Sequence, residues 1–221
     1  MAPTYSLVLF DLDGTLVDPA GAITDGIGAA LRSHGFEVPD EETLHAMVGP
    51  ALVQSLTAVA GVPADAVRDV VATYRAGYLS TGLQQSRPYP GVIECVRALA
   101  DDGAVVAVAT QKPEWLAEEL LTVQGMRHLF ASVHGSPRDE SRTIGGKTPI
   151  IRAALEAHPH AAGRAVMIGD RRHDVEGALA NGIACIGVDW GFAAPGELEG
   201  AGALAVVHSA GELSTLIQGN P

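Results

Sequence analysis

The stretch "LVLFDLDGTLVD", residues 7–18, places four apolar residues directly before three aspartates, Asp11, Asp13 and Asp18. A short apolar run bounded by turn residues predicts a buried β-strand. Ligands of open α/β sheets bind outside the carboxyl ends of the strands, so carboxylates at this point indicate a functional site. Taken alone, "DLDGT" also fits a turn in which Asp side chains cap backbone N–H groups.

The rest of the chain alternates short Val- and Ile-rich runs with segments of helical periodicity. The runs predict strands at 5–10, 104–109, 165–168, 183–188 and 204–207. Helices are predicted between them at 91–103, 112–125, 148–158 and 174–182. Strands that alternate with helices imply right-handed crossovers, so the predicted fold class is α/β, a doubly wound parallel sheet with helices on both faces.

One interval, residues 19–87, interrupts this alternation. It contains no convincing strand, and its periodicity predicts helices near 21–34, 40–47, 51–60 and 64–80. Pro19 and the segment from Pro88 to Gly91 favour turns at its two ends. We therefore expect a core domain made of residues 1–18 and 88–221, with an inserted α-helical cap domain at 19–87.

Composition excludes several classes of protein. The chain has 221 residues, is 47% hydrophobic and carries a formal net charge of −12, whereas a nucleic-acid binder would present a basic surface. No apolar run is long enough to span a membrane, and the N-terminus lacks the pattern of a signal peptide. Cys95 and Cys185 lie far apart in sequence and predict buried, reduced thiols. These features favour a soluble, cytoplasmic protein that binds neither nucleic acid nor membrane.

Polar residues follow several of the predicted strands and should converge at one edge of the sheet. They are Asp11, Asp13, Thr15, Thr110, Gln111, Lys112, Asp170 and Asp174, together with Lys147 at the start of a helix. Clustered carboxylates raise one another's pKa unless a cation is present, and oxygen ligands of this kind suit Mg²⁺. Mg²⁺ commonly binds substrate phosphate as well, so the set predicts a small phosphorylated substrate. An Asp can also act as a nucleophile at phosphorus.

Four ordered segments carry a resemblance to a known family. "FDLDGTLVD", "VAVATQKP", the "GGK" that ends at Lys147 and "MIGDRRHDVEGA" resemble the motifs of the haloacid dehalogenase (HAD) superfamily of phosphatases. The resemblance implies that Asp11 is the nucleophile and that Asp13 is the general acid and base. It also implies that Thr110 binds the transferring phosphoryl group and that Lys147 neutralises it.

The same resemblance implies a metal site and a phosphate-binding loop. Mg²⁺ would be held by the Asp11 side chain, the Asp13 backbone carbonyl and Asp170. Asp174 would bind the ion through a water molecule or would contact the direct ligands of the ion, although it also fits a helix cap. The remaining phosphate-binding candidates are Gly14, which permits a sharp turn, Thr15, Gln111, and Gly49 within "HAMVGPAL" at 45–52, which also fits a simple turn.

Several activities remain open within this resemblance. The chain is most similar to the phosphoglycolate phosphatase-like and 5′-nucleotidase-like branch, and its residues do not separate these two substrates. Asp13 argues against a dehalogenase, which lacks the second Asp. The absence of lysine from 19–87 excludes the Schiff base of a phosphonate hydrolase. A phosphohexomutase and a non-catalytic binding protein of the same fold are the remaining alternatives.

Overall fold

The structure is a computed structural model that describes residues 4–19, 21–138 and 146–219. Within these ranges the strands, in chain order, are β1 (Leu7–Phe10), β2 (Val17–Asp18), β3 (Arg87–Pro88), β4 (Val105–Pro113), β5 (Ser132–Ser136), β6 (Ala165–Gly169), β7 (Ala184–Val188) and β8 (Ala205–Val207). Six of them form one sheet in the order β5-β4-β1-β6-β7-β8, and every neighbouring pair is parallel. The predicted α/β fold class is confirmed.

Helices cover both faces of this sheet. In chain order they are α1 (Ala22–Ser33), α2 (Glu41–Ala46), α3 (Leu52–Ala58), α4 (Val67–Gly77), α5 (Leu83–Gln85), α6 (Val92–Asp101), α7 (Glu114–Val123), α8 (Thr148–Ala157), α9 (Arg172–Ala180), α10 (Glu197–Ala201) and α11 (Ala210–Gln218). A π-helical turn, Tyr78–Gly82, joins α4 to α5, and short 3₁₀ turns occur at Arg127–Leu129 and Ala162–Arg164. None of the described helices is long and apolar enough to cross a membrane.

Strand β1 lies at the centre of the sheet, between β4 and β6. Leu7 is in register with Val105 on one side and Ala165 on the other. Successive strand residues point to opposite faces, so Leu7 and Leu9 belong to the apolar cluster under α8 and α9. Val8 and Phe10 belong to the cluster under α6 and α7. Because both faces are covered, the strand is apolar throughout and ends at its first polar residue, Asp11.

The interval between β2 and β3 is helical, as its sequence predicts. Helices α1 to α5 occupy it, and the apolar cluster that includes Phe10 continues into this region through Ile27 and Tyr78. Strands β2 and β3 pair antiparallel where the chain leaves and re-enters the core, with Val17 opposite Pro88. This pairing lies next to the expected joins of the cap; the domain division itself stays a prediction.

Two features of the core differ from the sequence prediction. The edge strand β5 has the sequence "SVHGS", and its single Val among small and polar residues gives no apolar run by which to recognise it. Strand β4 extends past residue 109 to Pro113, so Lys112 is extended rather than helical, and α7 begins at Glu114 instead of residue 112. Residues 139–145, which include part of the segment leading to Lys147, lie outside the described residues.

We expect the Leu9→Ala substitution in β1 to lower the free energy of unfolding by about 2–5 kcal/mol. Leu9 is fully buried at the centre of the sheet, and truncation there removes apolar contacts and leaves a cavity. Leu204→Ala is the matched control, because Leu204 is 61% exposed and its truncation should change the value by about 0.5 kcal/mol or less. Urea unfolding measures both; equal effects would contradict the assignment of β1 as the central strand.

Candidate active site

The carboxyl ends of β1, β4 and β6 bring the sequence-predicted residues together. Asp11 follows β1 directly, Asp170 follows β6, and Thr110 lies near the end of β4. Because β1 pairs with both other strands, these three side chains meet at one edge of the sheet. All three are buried, with exposed fractions of 4% or less.

Three carboxylates form a cluster that could hold a metal ion. Asp11, Asp170 and Asp174 each offer one oxygen, and these oxygens lie within 4.8 Å of one another. Burial, followed by the charges of Asp11 and Asp174, raises the pKa of Asp170 well above its usual value. Such a concentration of negative charge is unfavourable without a cation, and an all-oxygen donor set fits a hard divalent ion.

The amine of Lys147 contacts two of the three carboxylates of this cluster. Its Nζ lies 2.6 Å from Asp11 Oδ1 and 2.6 Å from Asp174 Oδ1. Although burial alone lowers the pKa of the amine, the two carboxylates raise it above its usual value. Lys147 therefore stays protonated, and its position at the start of α8 brings a positive charge to the carboxylate cluster.

Gly14 and Thr15 fix the position of Asp170. Gly14 has a φ of +89°, and a Cβ there would lie 2.2 Å from Asp170 Oδ2, so both the turn and the close approach require glycine. The Thr15 hydroxyl donates to Asp170 Oδ1 at 3.1 Å, and the Phe192 amide donates to Oδ2 at 2.8 Å. In this structure Thr15 therefore contacts a carboxylate of the cluster, whereas the sequence predicts that it binds phosphate.

Asp174 combines two roles that the sequence treats as alternatives. Its Oδ2 accepts a hydrogen bond from the Arg171 backbone amide at 3.1 Å, which caps the first turn of α9. Its Oδ1 contacts Lys147 and faces the carboxylate cluster. Gly169 permits this arrangement, because a Cβ at that position would lie 2.2 Å from the Asp174 carboxyl carbon.

Lys112 is one of the polar residues that the sequence predicts to converge, although it gives this lysine no specific role; in the structure it lies beside Asp13. Lys112 Nζ lies 2.8 Å from Asp13 Oδ2, donates to the Tyr78 hydroxyl at 3.1 Å, and lies 4.4 Å from the centre of the Tyr78 ring. The other oxygen, Asp13 Oδ1, is buried and has no hydrogen-bond partner among the described residues. Thr110 and Lys112 are two residues apart in β4, and residues two apart along a strand point to the same face. This spacing is the feature of the sequence that could have predicted a position for Lys112 in the site.

Gln111 and Arg171 bind the loop between α2 and α3, which contains Gly49. Gln111 Nε2 donates to the carbonyl of Gly49 at 3.1 Å, and Arg171 Nη1 donates to the preceding carbonyl, that of Val48, at 2.5 Å. Gly49 has a φ of +103°, and a Cβ there would lie 3.1 Å from the Arg171 side chain. Glu197 accepts from Arg171 Nε at 2.9 Å and orients the guanidinium. The predicted phosphate ligand Gln111 thus contacts the cap loop.

A cavity of about 60 Å³ lies between the end of the sheet and the inserted helices. Asp11, Asp13, Thr110 and Lys112 line it on the side of the sheet. Residues of the inserted region line the other side: Ile23, Ile27, Met47, Val48, Gly49, Pro50, Leu52, Tyr74 and Arg75. The arrangement can therefore bind a small group next to two buried aspartates, Lys112 beside Asp13, and Lys147 beside Asp11.

Comparison with known proteins is consistent with this geometry. The family model for haloacid dehalogenase-like hydrolases matches residues 8–188. A 5′-nucleotidase from Pseudomonas aeruginosa is 37% identical over 214 residues, covering 97% of this chain and 95% of the relative. A tyrosine-protein kinase, PtkA, from Mycobacterium tuberculosis is 35% identical over 204 residues, covering 92% and 69%.

A phosphoglycolate phosphatase from Caulobacter vibrioides is 32% identical over 207 residues, covering 91% of this chain and 86% of the relative. Among solved structures, a predicted phosphatase from Clostridium acetobutylicum superposes with a TM-score of 0.89 at 34% identity. That superposition covers 96% of this chain and 98% of the other. Similarity thus extends over both the sheet and the inserted helices.

We expect Gly14→Ala to weaken the binding of divalent cations by about tenfold or more, because the new methyl group would displace the Asp170 carboxylate. Gly35→Ala is the matched control: Gly35 has a φ of +76°, but a Cβ there meets nothing within 4 Å. It should carry only the backbone strain of about 1–3 kcal/mol and leave the affinity unchanged. Isothermal titration with Mg²⁺ distinguishes the two, and equal affinities would contradict the packing described for Asp170.

We expect the metal-free protein to lose stability as the pH rises from about 4 to about 6. The pKa of Asp174 is raised from its ordinary value of 3.8 to about 6. Burial is the main cause; the charge of Asp11 also raises this pKa, and the charge of Lys147 lowers it. Between these values the folded state holds a proton that the unfolded state has released, so rising pH favours unfolding. A bound divalent cation offsets the ionised carboxylates and should remove this loss.

Urea unfolding at pH 4.5, 5.5 and 6.5, with Mg²⁺ or with EDTA, measures this effect. The stabilisation by Mg²⁺ should increase with pH across the series. A stabilisation that is independent of pH would show that the carboxylate cluster does not bind the ion.

Proposed function

The chain belongs to the family of haloacid dehalogenase-like hydrolases and is a phosphatase of that family, and we propose that it hydrolyses phosphomonoesters of small metabolites through an aspartyl-phosphate intermediate. The observation that carries this proposal is the pairing of two buried aspartates with different surroundings. Asp11 faces Lys147 and the carboxylate cluster, whereas Asp13 lines the cavity, is held by Lys112 at one oxygen and has a second, buried oxygen without a hydrogen-bond partner among the described residues.

In the first step Asp11 is the nucleophile. Its carboxylate oxygen forms a bond to phosphorus while the bond from phosphorus to the leaving oxygen breaks. Asp13 acts as the general acid and donates a proton to that leaving oxygen, so an alcohol is released. Lys147 offsets the charge of Asp11 and of the incoming phosphate, which would otherwise repel each other.

In the second step Asp13 acts as a base. Its carboxylate takes a proton from water, the water oxygen attacks phosphorus, and the bond between phosphorus and Asp11 breaks. Inorganic phosphate leaves and Asp11 is again a carboxylate. General acid–base assistance of this kind contributes roughly 10²- to 10⁴-fold to the rate. Lys112 holds one Asp13 oxygen at 2.8 Å and so keeps the carboxyl group oriented for both transfers.

Mg²⁺ is the cation we propose for the carboxylate cluster. Asp11 and Asp170 would hold it with the backbone carbonyl of Asp13, and Asp174 would contribute directly or through water. The all-oxygen donor set and the raised pKa of Asp170 support a hard cation here. When bound, the ion supplies charge neutralisation for the phosphoryl oxygens. Thr110 would donate to the same oxygens from the end of β4.

Phosphoglycolate is the substrate we propose first, and a 5′-nucleotide is the second candidate. The relative from Caulobacter vibrioides supports the first and the relative from Pseudomonas aeruginosa supports the second. The small volume of the cavity, about 60 Å³, favours a short leaving group over a nucleoside.

The proposal predicts that the purified protein releases inorganic phosphate from 4-nitrophenyl phosphate with Mg²⁺, and that EDTA abolishes this release. Asp11→Asn should also abolish it, because the amide cannot form the acyl phosphate. Asp101→Asn is the control, since it removes an exposed carboxylate at the far end of α6 and should leave the rate unchanged. Activity that survives EDTA or the Asp11 substitution would refute the mechanism.

A further inference from the structure

Tyr78 begins the π-helical turn between α4 and α5, and it contacts the lysine that holds Asp13. Lys112 Nζ is 2.8 Å from Asp13 Oδ2, donates to the Tyr78 hydroxyl at 3.1 Å and lies 4.4 Å from the centre of the Tyr78 ring. The side chains of Lys112 and Asp13 are 6% and 11% exposed, and Tyr78 is buried. The proposed reaction uses Asp13 and Lys112 but gives Tyr78 no role.

The charge states of Lys112 and Tyr78 favour this contact. Burial alone lowers the pKa of the Lys112 amine, but the charge of Asp13 raises it above its usual value. Burial raises the pKa of the Tyr78 hydroxyl, although the charge of Lys112 lowers it. The amine therefore stays charged and the hydroxyl stays neutral, so one donor of Lys112 pairs with the carboxylate and another with the hydroxyl oxygen.

The position of the Lys112 amine depends on more than its contact with Asp13. A lysine side chain is a flexible four-carbon stem, so a single contact would fix its amine poorly. The Tyr78 hydroxyl supplies a second hydrogen bond, and the ring adds a cation–π contact, which is stronger where water is excluded. Because Asp13 Oδ2 accepts from Lys112, a proton carried by this carboxyl group belongs on Oδ1, which is buried and has no hydrogen-bond partner among the described residues.

The π-helical turn leaves room for the Tyr78 ring. Gly82 has a φ of −63°, which any residue can adopt, yet a Cβ there would lie 2.6 Å from Tyr78 Cδ2. The close approach of the ring, rather than the backbone conformation, therefore requires glycine at this position. Turns of this type are rare and are found frequently at functional sites.

We propose that Tyr78 is a positioning residue for the general acid: by fixing Lys112 it holds Asp13 Oδ2, and it leaves Oδ1 to transfer the proton. The inference rests on the proposed phosphatase activity and adds to it a residue of the inserted helices. In the first step the proton moves from Asp13 Oδ1 to the leaving oxygen as the bond between that oxygen and phosphorus breaks. In the second step the same Oδ1 takes a proton from water. Tyr78 and Lys112 keep their own protons throughout.

This role should affect only those substrates whose leaving group needs a proton. Ethoxide is a strong base, so its departure from ethyl phosphate requires protonation, whereas acetate leaves acetyl phosphate as a stable anion. Both leaving groups have two carbon atoms, so their size does not distinguish them. The value of kcat/KM reports the steps up to the departure of the leaving group, which separates the acid step from the later hydrolysis of the acyl phosphate.

The test measures kcat/KM for ethyl phosphate and acetyl phosphate in the 221-residue protein with Mg²⁺. Tyr78→Phe keeps the ring but removes the hydroxyl. It should lower the value for ethyl phosphate about 5- to 20-fold and that for acetyl phosphate less than about twofold, since it removes only part of an acid–base effect of roughly 10²- to 10⁴-fold. Tyr5→Phe is the matched control, because Tyr5 precedes β1 at the end opposite to Asp11, and it should change neither value.

A pair of glycine variants tests the same role without removing the hydroxyl. Gly82→Ala should displace the Tyr78 ring and reproduce the selective loss on ethyl phosphate. Gly77→Ala is its control: Gly77 also has a φ of −63°, but a Cβ there meets nothing within 4 Å. This variant should leave the values for both substrates unchanged.

Combination with Lys112→Met distinguishes positioning through Lys112 from a general structural role. Lys112→Met should itself cause the selective loss on ethyl phosphate. Adding Tyr78→Phe should then change the ratio of the two values by less than about twofold, because both substitutions remove the same contact. Since the two substrates are compared on one sample, a general loss of folded protein cancels in the ratio.

Three results would overturn the inference. The first is a loss in Tyr78→Phe that is absent or equal on the two substrates. The second is a further loss from Tyr78→Phe in the Lys112→Met background as large as that in the wild type. The third is a wild type that cleaves acetyl phosphate but not ethyl phosphate. In all three cases phosphate release by the wild type still supports the phosphatase activity, whereas release from neither substrate nor from 4-nitrophenyl phosphate would refute the proposed function itself.

Discussion

Three buried carboxylates and one buried lysine lie within a few ångströms of one another at the end of β1. The local structure of the core around them depends on this concentration of charge. Asp11, Asp170 and Asp174 can approach one another only because Lys147 contacts two of them and because they present oxygens suited to a cation. Gly14 and Gly169 are required for the same reason, since a methyl group at either position would collide with a carboxyl group of the cluster.

Residues next to the site also hold the inserted helices against the sheet. Gln111 and Arg171 each follow directly after a site residue, Thr110 and Asp170, and each donates to a carbonyl of the loop between α2 and α3. Lys112 connects Asp13 to Tyr78, which lies in the π-helical turn at the end of the inserted region. A change in the position of the inserted helices would therefore alter hydrogen bonds made by Lys112, Gln111 and Arg171, which lie next to Asp13, Thr110 and Asp170.

The sequence patterns predicted those features of the fold and the site that depend on local residue patterns and on the order of the strands. The buried run before Asp11, the alternation of strands and helices, and the convergence of polar residues at strand ends follow from periodicity and from the geometry of parallel sheets. The partners of individual side chains were not predictable, since Thr15 contacts Asp170 and Lys112 contacts Asp13 across separations of 155 and 99 residues. Strand β5 was missed because an edge strand of small and polar residues lacks the apolar pattern of a central one.

The distribution of cations bears on how an anionic substrate reaches a protein with a net charge of −12. The chain has two lysines, and both are buried at the site, beside Asp13 and Asp11. At physiological ionic strength the Debye length is about 8 Å, so distant surface carboxylates repel the substrate weakly. Charges within the cavity are screened much less, because low-dielectric walls surround them. The local potential at the carboxylate cluster is therefore set by Asp11, Asp174 and Lys147 rather than by the overall charge of the protein.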